Sequence, residues 1–266
     1  MRTPPDADIA APEFPRGLEW LNVATLRMQN ELGRHAVLLE FWDFARINSL
    51  RTLPYVKAWH ERYSPLGLRV IGVHSPGYSF GRAREPVEKA VERLEIPYAV
   101  LLDPRFEVWQ LYGNKGWPAR YLFDRSGWLR FVHYGEGEYL ETELAIHEVL
   151  RELSPQVSLP EPLAALRPED QPGAKMEPQT ADVILPRERE RLELVRDWTD
   201  GEDYIEAADA GAGAKVRSFS AGSSWAVLSG SLEPGLYEAA TGAVEAEDPG
   251  LRLHGFQFTP VPPTEN

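Results

Sequence analysis

The residue types that ordinarily carry reaction chemistry are unevenly spread in this 266-residue chain. There is no cysteine, so thiolate nucleophiles, disulfides and Cys-ligated zinc are excluded outright. His60 and His147 fall on helical patterns, and His74 and His133 at strand ends. None of them makes the i, i+4 pair of a two-ligand metal site, so no metal and no other cofactor is expected. Serine, histidine and aspartate catalysis stays open, but no Gly-x-Ser-x-Gly elbow is expected. Gly135-Glu-Gly137 holds too few glycines to cradle phosphate and reads as a turn before a helix. Trp198, Trp225 and Tyr237 could stack against a sugar, but buried aromatics of a β-sandwich are the commoner explanation.

Composition narrows the classes. The hydrophobic fraction of 43% and charged fraction of 26% are ordinary for a globular protein. No apolar run reaches the roughly 18–20 residues of a membrane span. The opening MRTPPDADIAAPEFPRG lacks the apolar core of a secretion signal, which gives a cytoplasmic expectation. Net charge is −13, with 20 acidic and 9 basic residues in 155–266 against 21 and 19 before them. An acidic surface repels phosphate backbones and anionic lipids, so neither nucleic acid nor membrane is expected as a partner.

The elements that would position any site alternate. Residues 1–16 read as an extended lead-in, Gly17–Asn22 as a short edge strand and 24–33 as a helix closed by Gly33. Ala36–Trp42 is an apolar run of strand length, as expected for a strand covered on both faces. Ile47, Leu50, Pro54, Tyr55, Val56 and Trp59 then follow at helical spacing, with Pro54 expected to kink the helix. Leu68–His74 and Tyr98–Leu102 read as strands, Glu85–Leu94 and Phe106–Tyr112 as helices. Asp124-Arg-Ser-Gly127 joins two strands, Arg120–Phe123 and Trp128–His133, as a hairpin, and Tyr139–Leu153 closes the unit as a helix. This order predicts an α/β mixed sheet with helices on both faces over 17–153. The prolines of 154–180 predict a semi-rigid linker. Short runs at Val216–Phe219, Trp225–Leu228, Gly235–Tyr237, Leu251–Leu253 and Phe256–Phe258 predict a small antiparallel β-sandwich over 181–266.

Residues 12–153 resemble the redoxin branch of the thioredoxin-like superfamily, above all the soluble part of DipZ-type proteins and the thioredoxin-like head of NHL-repeat proteins. The resemblance rests on Glu13-Phe14-Pro15, Gly17-Leu-Glu-Trp-Leu-Asn22, Phe41-Trp42, Ile47-Asn48, Leu50-Arg-Thr-Leu-Pro-Tyr55 and Val70-Ile-Gly-Val-His-Ser-Pro76. It continues through Tyr112-Gly-Asn114, Trp117-Pro-Ala119, Tyr121-Leu122 and His133-Tyr-Gly-Glu-Gly137. More weakly, Trp198, Tyr204, Lys215-Val-Arg217, Leu236-Tyr237 and Gly255-Phe-Gln-Phe258 resemble the carbohydrate-binding-module-like sandwich of the DipZ type.

The resemblance implies an attacking cysteine at position 46 and a resolving one at position 49, where this chain has Arg46 and Ser49. Mixed-disulfide chemistry needs sulfur at both, so reductase, isomerase and Cys-peroxidase activities are excluded. It also implies a cis bond before Pro118 and a groove for an extended peptide beside it. Trp42, Arg46, Asn48, Ser49, Trp117 and Pro118 are therefore the candidate ligand-binding residues. Arg46 reads either as an anion-binding group or as a solvated arginine paired with Asp43. Asn48 and Ser49 read as helix-start hydrogen-bonders, and Trp42 as half core and half groove wall. The expected function is non-catalytic binding of a peptide or protein. The alternatives are an enzyme of non-thiol chemistry at the same pocket and an interaction protein acting through the sandwich.

Overall fold

A computed structural model describes residues 9–177 and 179–261; most of the expected lead-in before residue 9, Pro178 of the expected linker and the last five residues lie outside them. In chain order the first part holds β1 (Trp20–Leu21), α1 (Met28–Glu31), β2 (Ala36–Trp42), α2 (Ile47–Tyr63), β3 (Leu68–His74) and α3 (Arg84–Arg93). It continues with β4 (Ala99–Leu102), α4 (Glu107–Leu111), β5 (Ala119–Phe123), β6 (Leu129–Tyr134) and α5 (Tyr139–Leu153). The strands form one mixed sheet in the order β1-β4-β3-β2-β5-β6. β2 pairs parallel with β3 and antiparallel with β5.

All seven residues of β2 are buried. Val37, Leu39 and Phe41 enter a core with Ile71, Val73, Leu101, Tyr121 and Phe123, covered by Phe14, Trp20, Met28 and Val108. The alternate face carries Leu38, Glu40 and Trp42 toward α2 and α5, consistent with the two-residue period of a strand. There Arg120, opposite Glu40 in the β2–β5 register, lays its guanidinium over the rings of Trp59 and Tyr139. Its Nη1 donates to Thr142 Oγ1 at 3.0 Å and its Nη2 to the Gly137 carbonyl.

Local chemistry explains the boundaries. The helix expected over 24–33 shrinks to one turn because its first N–H groups depend on a distant acceptor. Met28 N–H donates to Glu13 Oε1 at 2.9 Å and Gln29 N–H to Glu13 Oε2 at 3.1 Å, while Leu32 is already extended. Asp103 links β4 to α4, its two carboxylate oxygens accepting from Val108 N–H and Trp109 N–H at 3.0 and 2.9 Å. In the hairpin, Asp124 Oδ1 accepts from Ser126 N–H and Trp128 N–H, and Gly127 sits at φ +87°. α2 runs unbroken through Pro54.

The chain divides into two compact units. The first runs to Asp43 and includes Asn48–Pro76 and Arg82–Pro172. Residues 154–172, expected as linker, therefore pack with the first unit, because their backbone finds partners on α2 and α5: Leu163 N–H donates to Glu143 and Leu166 N–H to Tyr55.

The second unit comprises Phe44–Ile47, Gly77–Gly81 and the chain from Gly173. Its strands are β7 (Val183–Ile184), β8 (Leu192–Val195), β9 (Trp198–Asp200), β10 (Ile205–Ala207), β11 (Gly213–Val216), β12 (Ser224–Gly230), β13 (Gly235–Glu238), β14 (Ala243–Glu245) and β15 (Leu251–Phe258). One sheet has the order β13-β12-β15-β10-β9, with β7 also on β15, and the other β14-β11-β8, all antiparallel. Leu192, Ala214 and Val216 of the small sheet meet Ile205, Leu228, Leu253, Phe256 and Phe258 of the large one in a shared core. The strand expected over Val216–Phe219 ends at Val216, since Phe219 packs from a loop onto Phe258 with ring centroids 5.2 Å apart. The two runs expected at 251–253 and 256–258 are one strand, bulged opposite Val227/Leu228.

Burial pushes the Glu40 carboxyl up to about 8, against the lowering pull of Arg120. The folded chain therefore holds this proton more tightly than the unfolded chain, whose carboxyl titrates near 4.5. The stabilisation is complete below that value and is lost progressively as pH rises toward the folded value. Glu40→Gln, which cannot ionise, should gain stability relative to the parent as pH goes from 5 to 8. Urea denaturation at four pH values checks this; a difference independent of pH would mean that Glu40 titrates normally.

Candidate functional site at the start of helix α2

The loop from β2 into α2 carries the residues singled out above. Trp42 is 2% exposed, with its indole edge-on to His74 at 5.3 Å, so it is core and not a groove wall. Its packing requires Gly72: a Cβ there would lie 2.9 Å from Trp42 Nε1 and 3.1 Å from the Tyr98 ring. Ser49 is buried in the first turn of α2. Its Oγ accepts from Asp43 N–H at 3.3 Å, so it ties the helix back to the end of β2 and does not cap the helix's own amides. Asn48 is half-buried, and its Oδ1 finds no donor among the described residues. Trp117 is half-buried, donates from Nε1 to the Ser75 carbonyl at 2.9 Å and packs on Trp109 at 4.5 Å. The Trp117–Pro118 peptide is cis, and the Pro118 carbonyl accepts from Gly135 N–H at 2.7 Å.

Arg46 is partly exposed and has partners of its own. Within the second unit its Nη1 lies 3.8 Å from Asp182 Oδ2, and its guanidinium sits 4.9 Å over the Tyr78 ring. Gln257 brackets it: Ile47 N–H donates to Gln257 Oε1 at 2.7 Å, and Gln257 Nε2 donates to the Ala45 carbonyl at 2.7 Å. A single primary amide thus satisfies both backbone groups flanking position 46. Burial raises the cost of leaving either unpaired. Asp182, Tyr78 and Gln257 were not read as neighbours of this site; the one visible signal was a glutamine flanked by Phe256 and Phe258.

The second unit holds one more polar chain. Ser229 Oγ lies 2.7 Å from His254 Nε2, and His254 Nδ1 lies 3.0 Å from the Asp203 carbonyl and 3.3 Å from its Oδ1. Asp203 also accepts from Ser79 N–H and Oγ–H at 2.6 and 2.9 Å. Burial tends to raise the Asp203 pKa, but its bonds to His254 and Ser79 prevail and hold it down at about 2. Ser79 is the middle of Gly77-Tyr-Ser-Phe-Gly81, a Gly-x-Ser-x-Gly stretch, which corrects the expectation that the chain has none. It faces the aspartate and not the histidine, so it lacks the base of a nucleophile elbow. Ser229 and His254 are 4% and 1% exposed. The three aromatics suggested as a sugar platform do not share a face. Trp198 lies in the core, and Tyr237 packs against it, whereas Trp225 is the register partner of Glu238 on the other side of β12. Among the described residues no group of three His, Cys, Asp or Glu could hold a metal.

The first unit has the thioredoxin-like redoxin fold, with Arg46 and Ser49 at the positions where sulfur was expected. No protein-family model matches the chain. It is 36% identical over 173 residues to protein DipZ of Mycobacterium tuberculosis, covering 64% of this chain and 25% of that protein; the chain spans about a quarter of that relative. It is 25% identical over 141 residues to the thiol-disulfide oxidoreductase YkuV of Bacillus subtilis, covering 53% of this chain and 94% of YkuV. A solved structure of a putative thiol:disulfide interchange protein DsbE from Chlorobium tepidum aligns with a TM-score of 0.49 at 23% identity, over 55% of this chain and 98% of that one. No helix among the described residues is long and apolar enough to cross a membrane.

Gln257→Ala would strand Ile47 N–H and the Ala45 carbonyl, at about 1–3 kcal/mol for each buried group left unpaired. Urea denaturation should show a total loss of about 2–6 kcal/mol. A loss below about 0.5 kcal/mol would place these groups in contact with solvent.

Proposed function

We propose that this chain is a non-catalytic binding protein built on the thioredoxin-like fold, and that it holds a peptide or protein segment beside α2. The observation that supports this most directly is the engagement of both former sulfur positions: Arg46 with Asp182 and Tyr78, and Ser49 with Asp43 N–H. Neither side chain is arranged as a nucleophile or its base. Recognition then falls to Asn48, Trp117 and Pro118. Asn48 Oδ1 is a buried acceptor that meets no donor among the described residues. Trp42 and Ser49 fix the end of β2 and the first turn of α2. The oxidoreductase activity in the YkuV name does not carry over, because its sulfur is missing here. A chain without cysteine is indifferent to the redox poise of its surroundings, so the reading holds inside the cytoplasm or beyond it.

A second reading, an enzyme of non-thiol chemistry, is favoured by one observation: the Ser229–His254–Asp203 chain has the connectivity of a hydrolase triad. Labelling of Ser229 by a fluorophosphonate would support it, and a folded chain inert to the probe would remove it.

The binding reading predicts no insulin reduction at any pH. On an array of extended peptides, Asn48→Ala and Trp117→Ala should each weaken binding about tenfold, the equivalent of about 1.4 kcal/mol, with circular dichroism unchanged. Binding that ignored both substitutions but vanished on removing 181–266 would move the site to the sandwich.

A further inference from the structure

On the face of the sheet that meets α2 and α5, two ionisable side chains are neighbours in register and yet not partners. Glu40 of β2 stands directly opposite Arg120 of β5, and both are buried, at 2% and 0% exposure. Neither carboxyl oxygen of Glu40 meets a hydrogen-bond partner among the described residues, and neither does Arg120 Nε. Oppositely charged side chains facing each other across adjacent strands ordinarily pair. Here the guanidinium turns away, toward the start of α5.

What turns it is a set of uncharged groups. Nη1 donates to Thr142 Oγ1 at 3.0 Å, Nη2 donates to the Gly137 carbonyl, and the planar cation lies over the rings of Trp59 and Tyr139. Thr142 Oγ1 in turn donates to the Glu138 carbonyl at 2.7 Å. Arg120 thus clasps the first turn of α5 together with the glycine turn before it. The carboxylates of that turn are engaged elsewhere, Glu136 with Arg51 at 2.6 Å and Glu138 with His133 at 3.2 Å.

A single proton decides between two arrangements of this pair. Protonated, Glu40 is neutral and makes no demand on Arg120. Ionised, it is an unpaired charge in a site closed to water, which is costly unless a cation meets it. Burial, against the pull of Arg120, places that ionisation at about 8. The other titratable groups around the pair supply no cation. Before β4, Tyr98 presents a hydroxyl that burial keeps protonated well above its ordinary range. On α2, His60 packs edge-on to Tyr98 at 5.7 Å, and burial lowers its pKa, so it is uncharged at neutral pH. On β6, His133 faces Arg120 in register and is lowered in the same way. Tyr139 of α5 is pushed up to about 12 by burial, and β3 contributes Gly72 opposite Glu40.

We propose that Glu40 and Arg120 form a proton-operated latch on the start of α5. With the proton on Glu40, Arg120 holds the Gly137 carbonyl and the Thr142 hydroxyl, and the latch is shut. When the proton leaves to solvent, the Glu40 carboxylate draws the guanidinium across the strand pair to itself. The two α5 contacts are then lost and the turn from Gly135 to Glu138 loosens. That turn donates Gly135 N–H to the Pro118 carbonyl at 2.7 Å, so the change reaches the backbone at Pro118.

Hydrogen exchange followed by NMR in the full-length chain tests the latch. From about pH 6.5 to about pH 9, protection factors of the Thr142 and Glu143 amides should fall at least about tenfold relative to those of β2, which report global unfolding. Glu40→Gln, which cannot ionise, should abolish the fall. The coupling also runs in reverse. Thr142→Val removes one acceptor from the shut state, so the Glu40 midpoint, read from its carboxyl carbon shift, should drop by about one pH unit. A carboxyl raised by burial without a latch would keep its midpoint in that variant. Protection at the start of α5 that stays constant while Glu40 titrates, or that falls equally in Glu40→Gln, overturns the proposal, as does a midpoint indifferent to Thr142→Val. Should a variant fail to fold, the exchange series on the parent chain decides by the same criterion.

Discussion

A strand buried on both faces and paired on both edges leaves its backbone no recourse to water, and β2 is such a strand. The backbone groups of Val37–Phe41 find their partners in β3 on one edge, parallel, and in β5 on the other, antiparallel, each in a single register. That pairing sets Glu40 opposite Arg120 and Gly72 beside Glu40. It also places Trp42 over a position that only glycine leaves open. The direction in which the chain leaves Trp42 and enters α2 follows from it. A single ionisable residue in such a strand is held as a proton-bearing group or in an ion pair, because water is not there to solvate it.

Much of the first unit was legible because its signals are long and periodic. The apolar runs at 36–42 and 68–74, the helical stripe from Ile47 and the Asp-Arg-Ser-Gly turn each needed only local information. The parts that failed did so where a partner distant in sequence decides. α1 is short because its acceptor is Glu13, not a preceding cap residue. Residues 154–172 read as linker because prolines mark an unstructured backbone equally well whether it is solvated or laid on a surface; Glu143 and Tyr55 decide between them.

In the second unit the short, charged strands β8, β9, β10 and β14 carried little alternation to read, whereas the closing apolar runs stood out. The candidate site was legible as a set of positions and not as an environment. The pattern around Arg46 and Pro118 pointed to a set of positions, whereas the surroundings of Arg46 depended on Asp182, Tyr78 and Gln257. A guanidinium in place of sulfur reads from sequence as an exposed charge. The fold instead supplies a carboxylate and an aromatic face for it, the two kinds of neighbour that a weakly hydrated planar cation prefers.

The second unit is assembled from three stretches of chain, and two of its hydrogen bonds join residues 210 and 212 positions apart. Contacts of such range form slowly, because the loop between them must be ordered before they return any free energy. During synthesis Phe44–Ile47 leaves the ribosome long before β15 exists. For that interval the backbone groups around Arg46 are exposed to water and to other chains. The nascent and the finished protein therefore present different surfaces at this loop, and any factor that recognises the loop has a window that closes when Gln257 arrives.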